Sequence, residues 1–405
     1  MNSLSGHTSE FKPLNILVPL GISFYTFQSL SYVFDVYSGK ISAEKNIFKY
    51  LLFGSFFPQM LQGPISRYGD LSKTLFNEHK ADSKNLAFGA QRILFGYFKK
   101  LVLADRIYIL VNAISRDTSS FGGAWFLVVT ILYTLELYAD FSGGIDITIG
   151  IAEMLGIRVT ENFIRPFFSS SVSEFWNRWH VTMGGWFRDY IYIPLGGSRV
   201  KAPRLVFNFF IVWLTTGIWH GAGWNYILWG MCNFAVIISS KFLDKPYSAI
   251  RNALKCDNKL WYKIFTYIRT WLIASLFFTT FVFNDVRIII NGISGLFKKG
   301  SFSVLSHGEL FNHGLSEKDF IILSLGFIAL IVIAIIEEKD AKAKKALVSK
   351  EEAKTIFGEH AVRERITKLP YIVKVVFWLA LFTIVLLLGA YGRGYDAAQF
   401  IYNRY

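Results

Sequence analysis

Apolar residues in this chain gather into long runs instead of alternating with polar ones. Residues 320–336 carry no charged side chain, and residues 371–392 carry only Lys374. At about 1.5 Å rise per residue, helices of this length approach or cross a hydrocarbon layer of roughly 30 Å. Similar runs, interrupted by polar groups, occupy 16–37, 86–114, 124–155, 205–219, 226–242 and 262–283. The pattern predicts an all-α, polytopic membrane protein with about eight or nine spans.

Three departures from plain apolar spans carry information. In "QRILFGYFKKLVLADR", Arg92, Lys99 and Arg106 recur every seven residues and share one helical face. Such a face either lies at the membrane surface with its stems snorkelling, the commoner arrangement, or turns inward. In "YTLELYADFSGGIDITIGIAEMLG", Glu136 and Asp140 share a face, as do Asp146 and Glu153. These acids are expected to pair internally with Arg178 or Arg188, with a proton path as the alternative. The third is "ENFIRPFFSSSVSEFWNRWHVTMGGWFRDYIYIPLGGSR", residues 161–199, where Pro166, Gly184, Gly185, Pro194, Gly196 and Gly197 would break a spanning helix. It reads as short helices and re-entrant turns. Irregular backbone at membrane depth survives only where protein or a water-filled cavity satisfies it, so this segment is expected to line a cavity.

Composition agrees with a membrane setting: 53% of residues are hydrophobic, 18% are charged, and mean hydropathy is +0.37. The formal net charge of +14 does not point to nucleic acid, because the basic residues are spread among apolar segments and no nucleic-acid motif accompanies them. Residues 337–368 hold nine Lys or Arg and are assigned as a basic cytoplasmic loop, which places the C-terminus, one span later, outside. No internal repeat divides residues 1–405, which read as one membrane domain. Cys232 and Cys256 are too few for a disulfide framework or a four-cysteine metal site. The N-terminus lacks the pattern of a cleaved signal peptide, so insertion is expected to rely on internal spans.

Seven of the eleven tryptophans fall between Trp176 and Trp229, and within that stretch His180 and His220 each directly follow a tryptophan. An ionisable group in such surroundings is a functional candidate, against the plainer role of a ring hydrogen-bonded in the core. Three chemistries compete: a general base acting on a hydroxyl, a pair of axial haem ligands, and a proton relay in a transporter. Two histidines without a third ligand at familiar spacing make no zinc site, so no metal is expected. The glycines of "PLGGSR" read as a turn.

With these residues in view, the chain resembles the membrane-bound O-acyltransferase family, in its bacterial branch of alginate and other polysaccharide O-acetyltransferases. The resemblance rests on "VPLGISFYTFQSLSYVFDVYSG", "FFPQMLQGPISRY", "GYFKKLVLADR", "YADFSGGIDITIGIAEMLGI", "ENFIRPFF", "EFWNRWHVTMGGWFRDYIYIPLGG" and "GIWHGAGWNYILWG", in that order from Val18 to Gly230. It implies a helical ring around a central tunnel with re-entrant and interfacial helices. His220, in "WHGA", corresponds to the residue regarded as catalytic, and His180, in "RWH", to the second characteristic histidine. Gly221 and Gly223 would then leave room for the acyl group, and Trp179, Arg188, Asp189, Trp219 and Asn225 would belong to the tunnel wall.

The resemblance also implies partners. The donor is a cytoplasmic thioester, acetyl-CoA or an acyl carrier, with no bound cofactor. The acceptor is an extracytoplasmic polysaccharide, and a periplasmic SGNH-type, hydrolase-like acetyltransferase completes the transfer at a bacterial inner membrane. D-alanyl transfer to teichoic acid or peptidoglycan O-acetylation uses the same scaffold, and a polysaccharide-precursor transporter is the reading from another class. Relatives carry further spans before "VPLGISF", which implies that N-terminal spans are absent from this sequence.

Overall fold

A computed structural model describes residues 21–60, 62–116, 123–221, 223–256, 259–298, 301–302, 305, 308–346 and 361–390. Among them every regular element is helical, and an isolated bridge joins Phe163 to Trp179. The described elements begin with α1 (Ile22–Tyr37), α2 (Ile47–Gly54), α3 (Tyr68–Leu75) and α4 (Ser83–Tyr97). A π-helical turn, Phe98–Ala104, leads into α5 (Asp105–Arg116), and the long α6 (Ala124–Met154) follows. Two short helices, α7 (Val172–Trp176) and α8 (Val181–Phe187), precede a second π-helical turn at Arg188–Tyr192. Then come α9 (Ala202–His220), α10 (Trp224–Phe242), α11 (Asp244–Leu254), α12 (Leu260–Phe278) and α13 (Val286–Gly295). The last helices are α14 (Glu317–Ala346), α15 (Ala361–Thr367) and α16 (Tyr371–Leu388).

Among the described residues five elements are long and apolar enough to cross a membrane: α6, α9, Leu260–Phe281, α14 and α16. A sixth arises if α10 and α11, bent by 63°, count as one span. The chain is thus an all-α polytopic membrane protein, and its described residues hold five or six of the eight or nine spans that its apolar runs suggested. The run 86–114 is divided by the π-helical turn and buries charge, and α1 has only 16 residues. Residues 16–20 lie outside the described residues. The stretch 337–368 is not simply a loop, since its start continues α14 and its end contains α15, while residues 347–360 lie outside the described residues.

The spans differ in what surrounds them. In its most apolar window α6 is 67% buried inside the protein, whereas α14 and α16 are 17% and 6% buried. α6 is therefore the central post, and α14 and α16 present most of their surface to lipid. Against α6 lies α4, where Gly89 faces the carbonyl of Gly150 and Gly96 faces that of Gly143. Small residues let two helix backbones approach closely, which is how helices associate where lipid removes the hydrophobic driving force.

That contact settles the basic face of residues 92–106. It turns inward, not to the surface: Arg92, Lys99, Lys100 and Arg106 are all buried. Arg92 forms a two-pronged pair with Glu161 at 2.6 Å and also reaches Asp146 at 3.0 Å. Lys99 binds Asp146 at 2.5 Å and the Ser142 hydroxyl at 2.9 Å. Lys100 pairs with Asp140 and, at 2.8 Å, with Asp105. The wider winding of the π-helical turn carries consecutive lysines to different acids. Burial is tolerable because each charge is matched and hydrogen-bonded.

The acids of α6 consequently do not pair with Arg178 or Arg188. Glu153 binds Arg363 at 2.9 Å, Arg178 binds Glu174 and Glu338, and Arg188 binds the adjacent Asp189. Asp140 and Asp146 find their partners in α4 and the π-helical turn, and Glu153 finds its partner in α15, which one helix read alone does not reveal.

Substituting Gly96→Leu should force α4 away from α6, costing about 1–3 kcal/mol, visible as a lower thermal midpoint in detergent. Gly54→Leu, where a Cβ meets nothing within 4 Å, should leave the midpoint unchanged.

Candidate active site

The polar-aromatic segment after α6 folds back on itself as two extended strips. Ile164 N–H donates to the Arg178 carbonyl at 2.8 Å, and Val181 N–H donates to the Asn162 carbonyl at 3.0 Å. Between them Asn162, fully buried, ties the turn together with its side chain. Its Oδ1 accepts the Thr182 N–H at 3.0 Å and the Thr182 hydroxyl at 2.9 Å, and lies 3.2 Å from His180 Nδ1. A backbone N–H can only donate, so the shared atom is the amide oxygen and His180 Nδ1 carries the proton. The neutral ring is then the tautomer whose Nε2 exchanges protons.

His180 stands in the left-handed region, with φ 47°, at the entry to α8. A residue with a Cβ rarely adopts that conformation, and here the bonds to Asn162 impose it. Arg165, with φ 49°, is held similarly by Glu338 at 2.9 Å. Glu338 of α14 also binds Arg178 at 3.1 Å, so one carboxylate clamps both edges of the folded segment.

His220 comes from a different part of the chain, as the last residue of α9. The α9–α10 hairpin is tightly closed: Gly217 lies under the Tyr226 carbonyl and Gly230 under the Trp213 carbonyl. A Cβ at Gly221 would strike the Tyr226 ring, and one at Gly223 would strike the Asn225 side chain. These two glycines make room for side chains of α10, in place of the acyl space expected of them. The His220 ring is enclosed by Trp219 at 4.7 Å, Trp229 at 4.9 Å and Phe281 at 5.3 Å between centroids. Its Nε2 is buried and has no hydrogen-bond partner among the described residues.

Both imidazoles border one cavity of about 30 Å³, with Leu137 and Phe141 of α6, Trp176, Trp179, Met183, Trp229, Phe278 and Phe281. That is room for one or two waters, or for a group of comparable size. Trp179 is buried in the lining, and Trp219 packs beside both histidines, its ring centroid 6.3 Å from that of His180. Like Trp219, the three other expected wall residues lie outside the lining. The Arg188 side chain is 64% exposed and binds Asp189, which also faces Arg67 at 3.6 Å. Asn225 is buried and donates to the Thr280 carbonyl at 2.9 Å, joining α10 to the turn after α12. Reading the sequence left Asn162 unremarked, together with the wall formed by Phe141, Trp229 and Phe281. Asn233, where relatives often carry a histidine and which the sequence marked as non-essential, accepts the Trp176 indole N–H at 2.8 Å and so fixes one wall of the cavity.

A profile of the membrane-bound O-acyltransferase family matches residues 40–283, which include both histidines and the whole cavity lining. The chain belongs to this family. It is similar to the probable alginate O-acetylase AlgI of Pseudomonas syringae pv. tomato, 39% identical over 240 residues, or 58% of this chain and 45% of that protein. The peptidoglycan O-acetyltransferase of Helicobacter pylori is 35% identical over 251 residues, 55% of this chain and 47% of the relative. The teichoic acid D-alanyltransferase of Bacillus subtilis is 29% identical over 256 residues, 60% and 64% respectively. The chain spans about half the length of the alginate O-acetylases it matches.

In this family member, Asn162→Ala should orphan the buried Thr182 N–H and His180 Nδ1–H and cost about 1–3 kcal/mol, read from thermal unfolding in detergent. Asn162→Asp, which keeps the acceptor, should recover most of that loss.

Proposed function

We propose that this chain is the membrane O-acyltransferase component that moves an acetyl group from a cytoplasmic thioester, acetyl-CoA, to a hydroxyl of an extracytoplasmic polysaccharide such as alginate. The observation that carries the reading is the meeting of two imidazoles, from separate segments, on one small, largely aromatic cavity. Transfer requires removal of the acceptor's proton as its oxygen attacks the thioester carbonyl. The carbon–sulfur bond then breaks, and the departing thiolate takes a proton. His220 Nε2 is the base in this reading: it takes the hydroxyl proton and returns it to the sulfur. His180, oriented through Nδ1 by Asn162, presents the second ring nitrogen to the same reacting group. Positioned proton transfer contributes roughly 10² to 10⁴ in rate, and orientation adds to it.

The size and walls of the cavity favour acetyl. A space of about 30 Å³ suits a two-carbon acyl group better than a long chain, and its aromatic lining contains no carboxylate to meet the ammonium of a D-alanyl group. Trp179 and Trp219 wall the reacting centre, while Asn225 and the Arg67–Asp189–Arg188 cluster brace it from outside. The proposal includes the wider arrangement: an inner-membrane location, residues 337–368 on the cytoplasmic face, a helical ring whose tunnel reaches the cavity from both sides, and a periplasmic SGNH-type partner completing transfer to the polymer.

Purified protein should transfer radiolabelled acetyl from acetyl-CoA to an oligosaccharide acceptor, and His220→Ala should lower that rate at least about 10²-fold. His180→Ala should also lower it, with helical content unchanged in both. A His220→Ala protein that transfers acetyl at the wild-type rate would end the proposal.

A further inference from the structure

A second cavity, of about 660 Å³, lies directly behind the wall of the histidine cavity. Phe163 borders it and packs on Phe141 at 5.0 Å, and Phe141 in turn faces His180 at 4.8 Å. Its volume falls in the range of roughly 300–1,000 Å³ typical of ligand pockets. The two ends of this cavity have opposite character. Along one, α14 from Leu325 to Ala334 and α16 from Phe377 to Ile384 contribute only apolar side chains. At the other, Arg92, Lys99, Arg165 and Arg363 stand with Asp146, Glu161 and Glu337.

The apolar walls come from the two least covered spans, 17% and 6% buried, so this part of the cavity is built from the helices that face hydrocarbon. Beyond Glu337 and Arg363 the same ends of α14 and α15 carry exposed Lys339, Lys342, Lys345, Arg365 and Lys368. The mouth of the polar end is therefore basic. Basic pockets between spans, flanked by juxtamembrane lysine and arginine, attract anionic lipid headgroups.

We propose that this cavity is a binding site for an anionic phospholipid. One acyl chain lies between α14 and α16, and the phosphate sits towards Arg363 and the lysines beyond it. A free fatty acyl chain would satisfy only the apolar end and a soluble phosphate only the basic one; a phospholipid satisfies both. The site is separate from the histidine cavity, and its occupant would hold α14, with its clamp Glu338, against the folded segment that carries His180.

The test uses the full chain in nanodiscs in which phosphatidylglycerol is the minor component of a phosphatidylcholine bilayer, read by native mass spectrometry after release. Wild-type protein should retain phosphatidylglycerol enriched about fivefold or more over its share of the bilayer, the effect of one well-placed basic residue. Ala329→Trp, which fills the cavity, should abolish the enrichment. Ile331→Trp, on the exposed side of α14 and outside the lining, should preserve it. Retained lipid in bulk proportion would overturn the proposal, and so would enrichment unchanged by Ala329→Trp. Release of the lipid by acetyl-CoA alone would overturn it too, because the cavity would then belong to the donor. If Ala329→Trp fails to fold, the wild-type lipid ratio and the acetyl-CoA challenge still decide.

Discussion

Charge buried at membrane depth has to be answered by opposite charge, and α6 is where this chain answers it. Asp140 and Asp146 receive Lys100, Lys99 and Arg92 from the neighbouring helix and π-helical turn, and Arg92 extends the pairing to Glu161. Removing either side of such a pair leaves an uncompensated ion in a medium that cannot hydrate it. The pairing therefore fixes the register of α4 on α6, and the glycines opposite each other let the backbones come close enough for it. Everything nearer the candidate site is built on that post.

The link from post to site runs through the folded segment after α6. Glu161 anchors its start to Arg92, Glu338 clamps Arg165 and Arg178, and Asn162 holds His180 in a backbone conformation that it would not adopt alone. From the other side the glycine-closed α9–α10 hairpin delivers His220. Two rings from unrelated stretches thus meet over a floor supplied by Leu137 and Phe141, on the same helix whose acids carry the ion pairs. A site on rigid, mutually braced elements can keep two nitrogens in fixed relation, which proton transfer to a reacting hydroxyl demands.

Much of this was legible before any coordinates. Long uncharged runs announce α14 and α16, and a histidine following a tryptophan in greasy surroundings marks His180 and His220 as unusual. What stayed hidden depends on geometry between segments. Seven-residue spacing shows that Arg92, Lys99 and Arg106 share a face but not which way it looks, because the deciding acids are on another helix. Asn162 gives no local signal, since its value comes from Thr182 and His180, folded back onto it. Gly221 and Gly223 suggested space for a substrate, yet the space is taken by Tyr226 and Asn225. Apolar content alone does not separate a crossing helix from one broken around buried lysines, as residues 86–114 show.

In the proposed reaction the cavity between the two histidines receives the acyl group. An experimental structure with acetonyl-CoA, a ketone analogue that cannot transfer its acyl group, tests it most directly. The analogue's carbonyl is expected in the cavity bounded by Trp179, Trp229 and Phe281, within hydrogen-bonding reach of His220 or His180. An analogue bound with its carbonyl elsewhere, and the two imidazoles still sealed in packed side chains, would contradict it.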